Sequence, residues 1–320
     1  MTHELWLVKG STMTNITPLV GTIMWRSNID ELGDEITFDV AFNDTKFFPK
    51  NPCDIGDIIV LKNGSEITRG IIVEESRNGI SPVQYTAYDY TFYLNKSSAV
   101  YQFNKMPADA CIKKILDDFG VPIGKITAMP KVINKIYNNK VVSEIIKDIL
   151  DIAGKKLFME MDKGKLNIAK RGDIVIKANF SLYTGDKKKD ATLAISNPSH
   201  KRSIADMINS IQVVGNNDKV VLEKSDSAMV SKYGKLQKVI TLDQEEKKSA
   251  AVMAQEELDE FSKIVHDISL ELIGDDHVRA GRVFEIEEPF TKISGKYLIS
   301  DVTHTLSDGH HKMSMNLEVM

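Results

Sequence analysis

Cys53–Ser76 reads CDIGDIIVLKNGSEITRGIIVEES, and 225 positions later Val278–Asp301 reads VRAGRVFEIEEPFTKISGKYLISD. Laid together without a gap, the two stretches match Gly56 with Gly281 and Gly70 with Gly295, the only identities in the window. The β-rich segment Ile58–Leu61 falls against Val283–Ile286, and Ile71–Val73 falls within Lys296–Ile299. Each block then leads into a turn and another alternating strand. Glycine recurs at turns because it takes positive φ without a Cβ clash, so two identities are a modest match. The pattern nevertheless predicts one small β-unit present twice, which is a clue to assembly before it is one to catalysis.

Outward from the first block, Ile36, Phe38, Val40 and Phe42 alternate with polar residues, which places them on one buried face of a strand. Asn63-Gly64 marks a tight hairpin, and Val83, Tyr85 and Ala87 continue the alternation. Many short strands separated by turn residues suggest a barrel or sandwich. The period then changes. Pro107 can open a helix whose stripe is Ala108, Cys111, Ile112, Ile115 and Phe119, closed by Gly120. A second helix is predicted from an N-cap at Ser143 to Gly154, followed by a hairpin turning at Lys163-Gly164.

The polar run Asp186–Asp190 reads as an exposed loop. Strands resume near Ile208–Val214 and Leu236–Thr241, and a helix follows over about 244–263, with Ala251, Ala254, Leu258 and Phe261 on one side. Before the second block's final strand, Asp308-Gly309 are read as the turn of a hairpin. In that register Leu306 faces His311, His304 faces Met313, Val302 faces Met315 and Leu298 faces Val319, with no slip.

A chain of 320 residues is long for one core and predicts two or three domains. A net charge of −4 gives no bulk electrostatic reason to bind nucleic acid. Two cysteines, Cys53 and Cys111, make neither a disulfide framework nor a zinc spacing. The start MTHELWLVKG lacks the pattern of a signal peptide, and no apolar run reaches the roughly 20 residues that cross a bilayer, so membrane insertion is not expected.

Chemistry-bearing motifs are sparse. His304 and His311 share a strand face at a spacing that suits two metal ligands, but no third ligand stands near them in sequence. The reading taken is that His304 sits in an apolar face with one hydrogen bond, while His310 and His311 cap the hairpin. No nucleophile elbow and no phosphate loop occurs, and neither cysteine has a histidine nearby. The pairs Asp117-Asp118 and Asp275-Asp276 are read as surface groups, and Tyr85, Tyr88, Tyr90, Phe92 and Tyr93 as an aromatic cluster partly in the core. No catalytic, cofactor-binding or metal-binding residue is assigned.

Several stretches resemble a known family. They are ELWLVKGSTMTNITPLVGTIMW from Glu4, EITFDVAF from Glu35, YTAYDYTFYLNK from Tyr85 and SIADMINSIQVVGNN from Ser203. DSAMVSKYGKLQKVI from Asp226 and GKYLISDVTHTLSDGHHKMSMNLEV from Gly295 complete the series. Together, and in this order, they resemble the XkdQ/YqbQ-type baseplate hub proteins of PBSX-like prophages, related to the phage late-control gene D proteins. The resemblance implies a structural hub of a contractile phage tail or tail-like bacteriocin, not an enzyme. It implies two tube-protein-like β-barrel domains, and a homotrimer whose six barrels join a hexameric tail tube to a trimeric spike among other baseplate proteins. Such a protein is expected in the bacterial cytoplasm during assembly, then in a particle released by lysis. Some relatives carry a cell-wall-degrading domain, for which this chain is expected to have no room after Met320.

The predicted fold is therefore α+β and predominantly β. Residues 1–97 form a first tube-like barrel, 98–173 a small α+β domain, and 174–320 a second barrel with a packed helix near 244–263. The alternatives weighed are a peptidoglycan-degrading enzyme of the same particle and a carbohydrate-binding protein using Tyr88 and its aromatic neighbours.

Overall fold

The computed structural model describes residues 3–31, 33–42, 50–154, 156–176, 182–184, 187–189, 195–215, 219–242, 249–288 and 290–320. Among the described residues strands dominate, and five α-helices accompany them. The first strands are β1 (Glu4–Lys9), β2 (Thr12–Asn15), β3 (Val20–Asn28), β4 (Glu35–Val40), β5 (Ile58–Asn63), β6 (Ser65–Ser76) and β7 (Val83–Tyr88). Period-two patterning works as expected here. Ile36, Phe38 and Val40 of β4 are buried with Val83, Tyr85 and Ala87 of β7 in a core shared with Leu5, Leu7, Ile59 and Leu61. Phe42 leaves that stripe and is exposed, because β4 ends at Val40.

Next come α1 (Thr91–Lys96), β8 (Ser98–Pro107), α2 (Ala108–Asp118), β9 (Ile123–Ile126), β10 (Val132–Val141), α3 (Val142–Ala153), β11 (Leu157–Asp162) and β12 (Lys165–Lys170). They surround a second apolar cluster running from Leu94 to Ile168. Pro107 stands at the N-cap of α2, and Ala108, Cys111, Ile112 and Ile115 are buried as the stripe requires. The N-cap of α3 is Val141 instead of Ser143, which lies buried inside the first turn. Lys163 (φ 49°) and Gly164 (φ 72°) make a two-residue turn with both φ positive, the form whose twist suits a hairpin.

Beyond β13 (Val175–Ile176), β14 (Leu182–Thr184) pairs with β15 (Lys187–Lys189), so the lysines expected in a loop form a short strand, and the rest of Asp186–Asp190 lies outside the described residues. The chain then enters β16 (Ser196–Ser203). It continues through β17 (Ser210–Val214), β18 (Val220–Ser225), α4 (Ser227–Tyr233), β19 (Gln237–Thr241) and α5 (Ala250–Phe261), and returns along β20 (Val265–Ile273). Two compact units result: Met1–Pro198 with Ser269–Met320, and Ser199–Ile268. In the smaller unit α5 begins at the N-cap Ser249, whose hydroxyl accepts from Val252 N–H, and residues 243–248 lie outside the described residues. Its buried stripe is Ala254 and Leu258, with Ala250 alongside, packed on Ile211 and Val213. Ala251 faces solvent.

The last strands are β21 (Val283–Glu288), β22 (Ile293–Ser307) and β23 (His310–Val319). Asp308 (φ 52°) and Gly309 (φ 76°) form the predicted turn, with Leu306 opposite His311 and Val302 opposite Met315. A bulge between Ile299 and Asp301 then shifts the register by one, so Leu298 faces Glu318 and Tyr297 faces Val319. The expected slip-free ladder to the strand end is corrected by that one extra residue.

The two quoted blocks fold alike. In chain order β3, β4, β5, β6 and β7 lie side by side as β3-β4-β7-β6-β5, and β16, β20, β21, β22 and β23 lie as β16-β20-β23-β22-β21. Gly56 N–H donates to the Ile72 carbonyl at 2.8 Å, and Ile72 N–H donates to the Asp57 carbonyl at 2.9 Å. Gly281 N–H donates to the Ile299 carbonyl at 2.9 Å, and Ile299 N–H donates to the Arg282 carbonyl at 2.9 Å. Both glycines sit at positive φ, 89° and 84°. Sixteen positions separate Gly56 from Ile72 and eighteen separate Gly281 from Ile299, so the second hairpin is two residues longer. Gly70, opposite Ile59, therefore corresponds to Tyr297, opposite Phe284, and its sequence match with Gly295 is coincidental.

Neither copy closes on itself. Among the described residues no sheet forms a barrel, which corrects the expectation of two barrel domains; the strands join one 13-stranded sheet instead. β22 is the joint: its first half pairs with β21, and Asp301–Leu306 then pair with Asn28–Ile23 of β3.

Candidate functional site

Two polar clusters mark the places where remote parts of the larger unit meet. In the first, β3 and β22 bring Trp25 and His304 face to face, stacked at 4.7 Å and 1°. His304 Nε2 contacts the Val278 carbonyl at 2.9 Å, and His304 Nδ1 contacts His311 Nε2 at 3.0 Å. Burial is the main reason the His304 imidazole is pushed down to about 4, and burial likewise lowers His311. Asp276, in the loop before β21, reaches His3 Nε2 at 2.8 Å and takes a hydrogen bond from Asn63 Nδ2 at 2.7 Å. Burial works to raise the Asp276 carboxyl, but the His3 and Asn63 contacts bring it below the ordinary carboxylate value. Asp276 and His3 thus join the His304–His311 pair: Asp276 Oδ1 lies 3.7 Å from His311 Nδ1, and the His3 ring meets the His311 ring edge-on at 4.9 Å.

The second cluster is ionic and lies deeper. Arg279 Nη2 pairs with Asp34 Oδ2 and donates to the Met161 carbonyl at 2.9 Å. Asp34 N–H donates to Asp89 Oδ2 at 2.7 Å, and Asp89 also accepts from the backbone and hydroxyl of Thr91. Arg282 Nη1 lies 3.0 Å from Glu160 Oε2 on β11. Burial, joined by the Asp34 charge, pushes the Asp89 carboxyl up to about 6. Burial also leaves Asp34 above its ordinary value despite the guanidinium beside it. Both arginines come from the VRAGR stretch of the second block, where nothing in the local sequence distinguishes a buried arginine from a solvated one. The glycine is needed because a Cβ there would overlap the Phe158 ring of β11.

The other candidate residues disperse. Cys53 and Cys111 are buried, and burial pushes their thiols up to about 12 and about 11, the wrong direction for a nucleophile. Asp118 accepts from Tyr101 Oη at 2.9 Å and from Lys114, while Asp275 accepts from His277. Tyr85 stacks on Phe38 in the core, whereas Tyr88 stacks on Phe92 toward the surface and Tyr93 is exposed. His310 is exposed at the hairpin, but His311 is half-buried in the first cluster and does not cap the turn. Among the described residues no helix is long and apolar enough to cross a membrane.

A predominantly β chain with these two clusters at its joints has the fold of a prophage tail protein. The 43 kDa tail protein of prophage MuSo2 from Shewanella oneidensis superposes with a TM-score of 0.72 at 14% identity, covering 98% of both chains. The chain belongs to the YQBQ-like family, whose model matches residues 23–318. It is 26% identical to the uncharacterized protein YqbQ of Bacillus subtilis, over 82% of this chain and 81% of that protein. It is 24% identical to the phage-like element PBSX protein XkdQ of the same organism, again over 82% and 81%. The resemblance to XkdQ/YqbQ-type proteins is thereby borne out.

Proposed function

We propose that this protein is a structural subunit of a phage-tail or tail-like baseplate hub, and that three copies assemble into a ring joining a hexameric tail tube to a trimeric spike. The observation that carries the reading is the five-strand order found twice, β3-β4-β7-β6-β5 and β16-β20-β23-β22-β21. A threefold ring of doubled modules presents six similar faces on one side and three identical chains on the other, which reconciles the two symmetries. The open ends of the sheet suit this role, since β2, exposed along its whole length, offers backbone groups that a neighbouring chain can pair.

In this reading segments 1–97 and 174–320 supply the ring modules, and segment 98–173 is a small α+β domain with its own apolar cluster. Assembly takes place in the bacterial cytoplasm, and lysis releases the finished particle. Its role is non-enzymatic, in keeping with buried thiols whose environment disfavours the thiolate. Light scattering of the purified chain, alone and with its tube and spike proteins, tests the proposal. A trimer, or a monomer that trimerises on meeting either partner, is the expected result. A stable monomer with affinity for neither overturns it.

A further inference from the structure

His3, Asp276 and His311 come from three distant segments to one half-buried point, their nearest ligand atoms all within 4.8 Å of one another. A carbonyl only accepts, so the contact with the Val278 oxygen places the proton of neutral His304 on Nε2. His304 Nδ1 is then a lone pair, and its 3.0 Å contact with His311 Nε2 requires the His311 proton on that nitrogen. Nδ1 of neutral His311 becomes a second lone pair, and it faces Asp276 Oδ1 at 3.7 Å. With His311 neutral, its Nδ1 and Asp276 Oδ1 both turn lone pairs toward the space between them, as two ligands of one cation would. On the far side, His3 Nε2 approaches the same carboxylate oxygen at 2.8 Å.

We propose that His3 Nε2, Asp276 Oδ1 and His311 Nδ1 form a binding site for one divalent transition-metal ion of the zinc type. Tetrahedral zinc with bonds of about 2.0–2.2 Å sets its ligand atoms about 3.3–3.5 Å apart, and the separations of 2.8 and 3.7 Å to Asp276 bracket that spacing. Imidazole and carboxylate are the donors such an ion takes. The supporting contacts are present as well. His311 gives its other nitrogen to His304, which gives its own to a carbonyl, a relay that orients a ligating ring. Asn63 holds Asp276 Oδ2, so Oδ1 is the oxygen turned toward the histidines. Binding displaces any proton on His3 Nε2 to solvent or to Nδ1. Gly274 stands where a Cβ would collide with the His311 ring, so the ring's place depends on that residue having no side chain. The ion would fasten the start of the chain to its last hairpin.

The test uses the full chain, stripped with EDTA, dialysed and titrated with Zn²⁺ alone. One Zn²⁺ per chain by metal analysis, a raised melting temperature, and the visible absorption of a tetrahedral site on Co²⁺ substitution are expected. His3→Ala removes a ligand that precedes β1, and should weaken Zn²⁺ binding at least tenfold with an unchanged far-UV spectrum. Asn63→Ala, which acts through Asp276, should weaken it by about 10–100-fold. His310→Ala, at the exposed turn, should bind as the parent does. Asp276→Asn should abolish binding, and if that variant does not fold, His3→Ala decides. Uptake below one ion per chain, or equal affinity in His3→Ala and His310→Ala, overturns the proposal.

Discussion

Gly56 and Gly281 occupy equivalent turns, yet their surroundings differ. At Gly56 nothing lies within 4 Å of where a Cβ would sit, and at Gly281 the Phe158 ring occupies that space. Gly56→Ala should cost about 1–2 kcal/mol for the left-handed backbone alone. Gly281→Ala should add about 1–3 kcal/mol for the overlap, measurable by urea unfolding of both variants. Arg279→Met leaves Asp34 buried without its guanidinium, and a loss of about 3–5 kcal/mol is expected from the same experiment. Asp89 gives a pH signature. Its folded pKa of about 6 exceeds the ordinary 3.8, so its contribution is fully present below 3.8 and is lost as pH rises through about 6. In Asp89→Asn the stability slope between those values should flatten, and an unchanged slope would show that another group titrates there.

Local chemistry made several elements legible. Lys163-Gly164 and Asp308-Gly309 were readable as turns because glycine takes the second positive φ without a Cβ clash, and the stripe of α2 was readable because its spacing keeps a helical period. What depends on contact across the fold was not. The Ser300 bulge carries no glycine to mark it, α1 hides inside an aromatic run, and His3 and Asp276 meet only after the sheet has formed. The helix α5 shows how a stripe can be right in kind and off by one residue. Ala254 is fully buried, whereas Ala251, assigned to the same face, is exposed. Ala254→Leu should therefore destabilise the Ser199–Ile268 unit by about 1–3 kcal/mol, and Ala251→Leu should leave it unchanged, as followed by hydrogen exchange within that unit.

At the scale of the whole chain, the second copy of the five-strand pattern differs from the first chiefly in what separates its opening strands. Residues 29–34 link β3 to β4, whereas 204–264 stand between β16 and β20. Because this span holds its own core of Ile211, Val213, Ala254 and Leu258, replacing it with a two-residue Asn-Gly turn should preserve the cooperative melting of the larger unit. Loss of that transition in calorimetry would show the insertion to be part of the larger unit's stability. β22 has another consequence. It welds the two copies through main-chain amides and carbonyls, which are the same whatever residue carries them. A joint of that kind tolerates mutational drift: side chains on either side of it can be rewritten over generations while the weld itself stays intact.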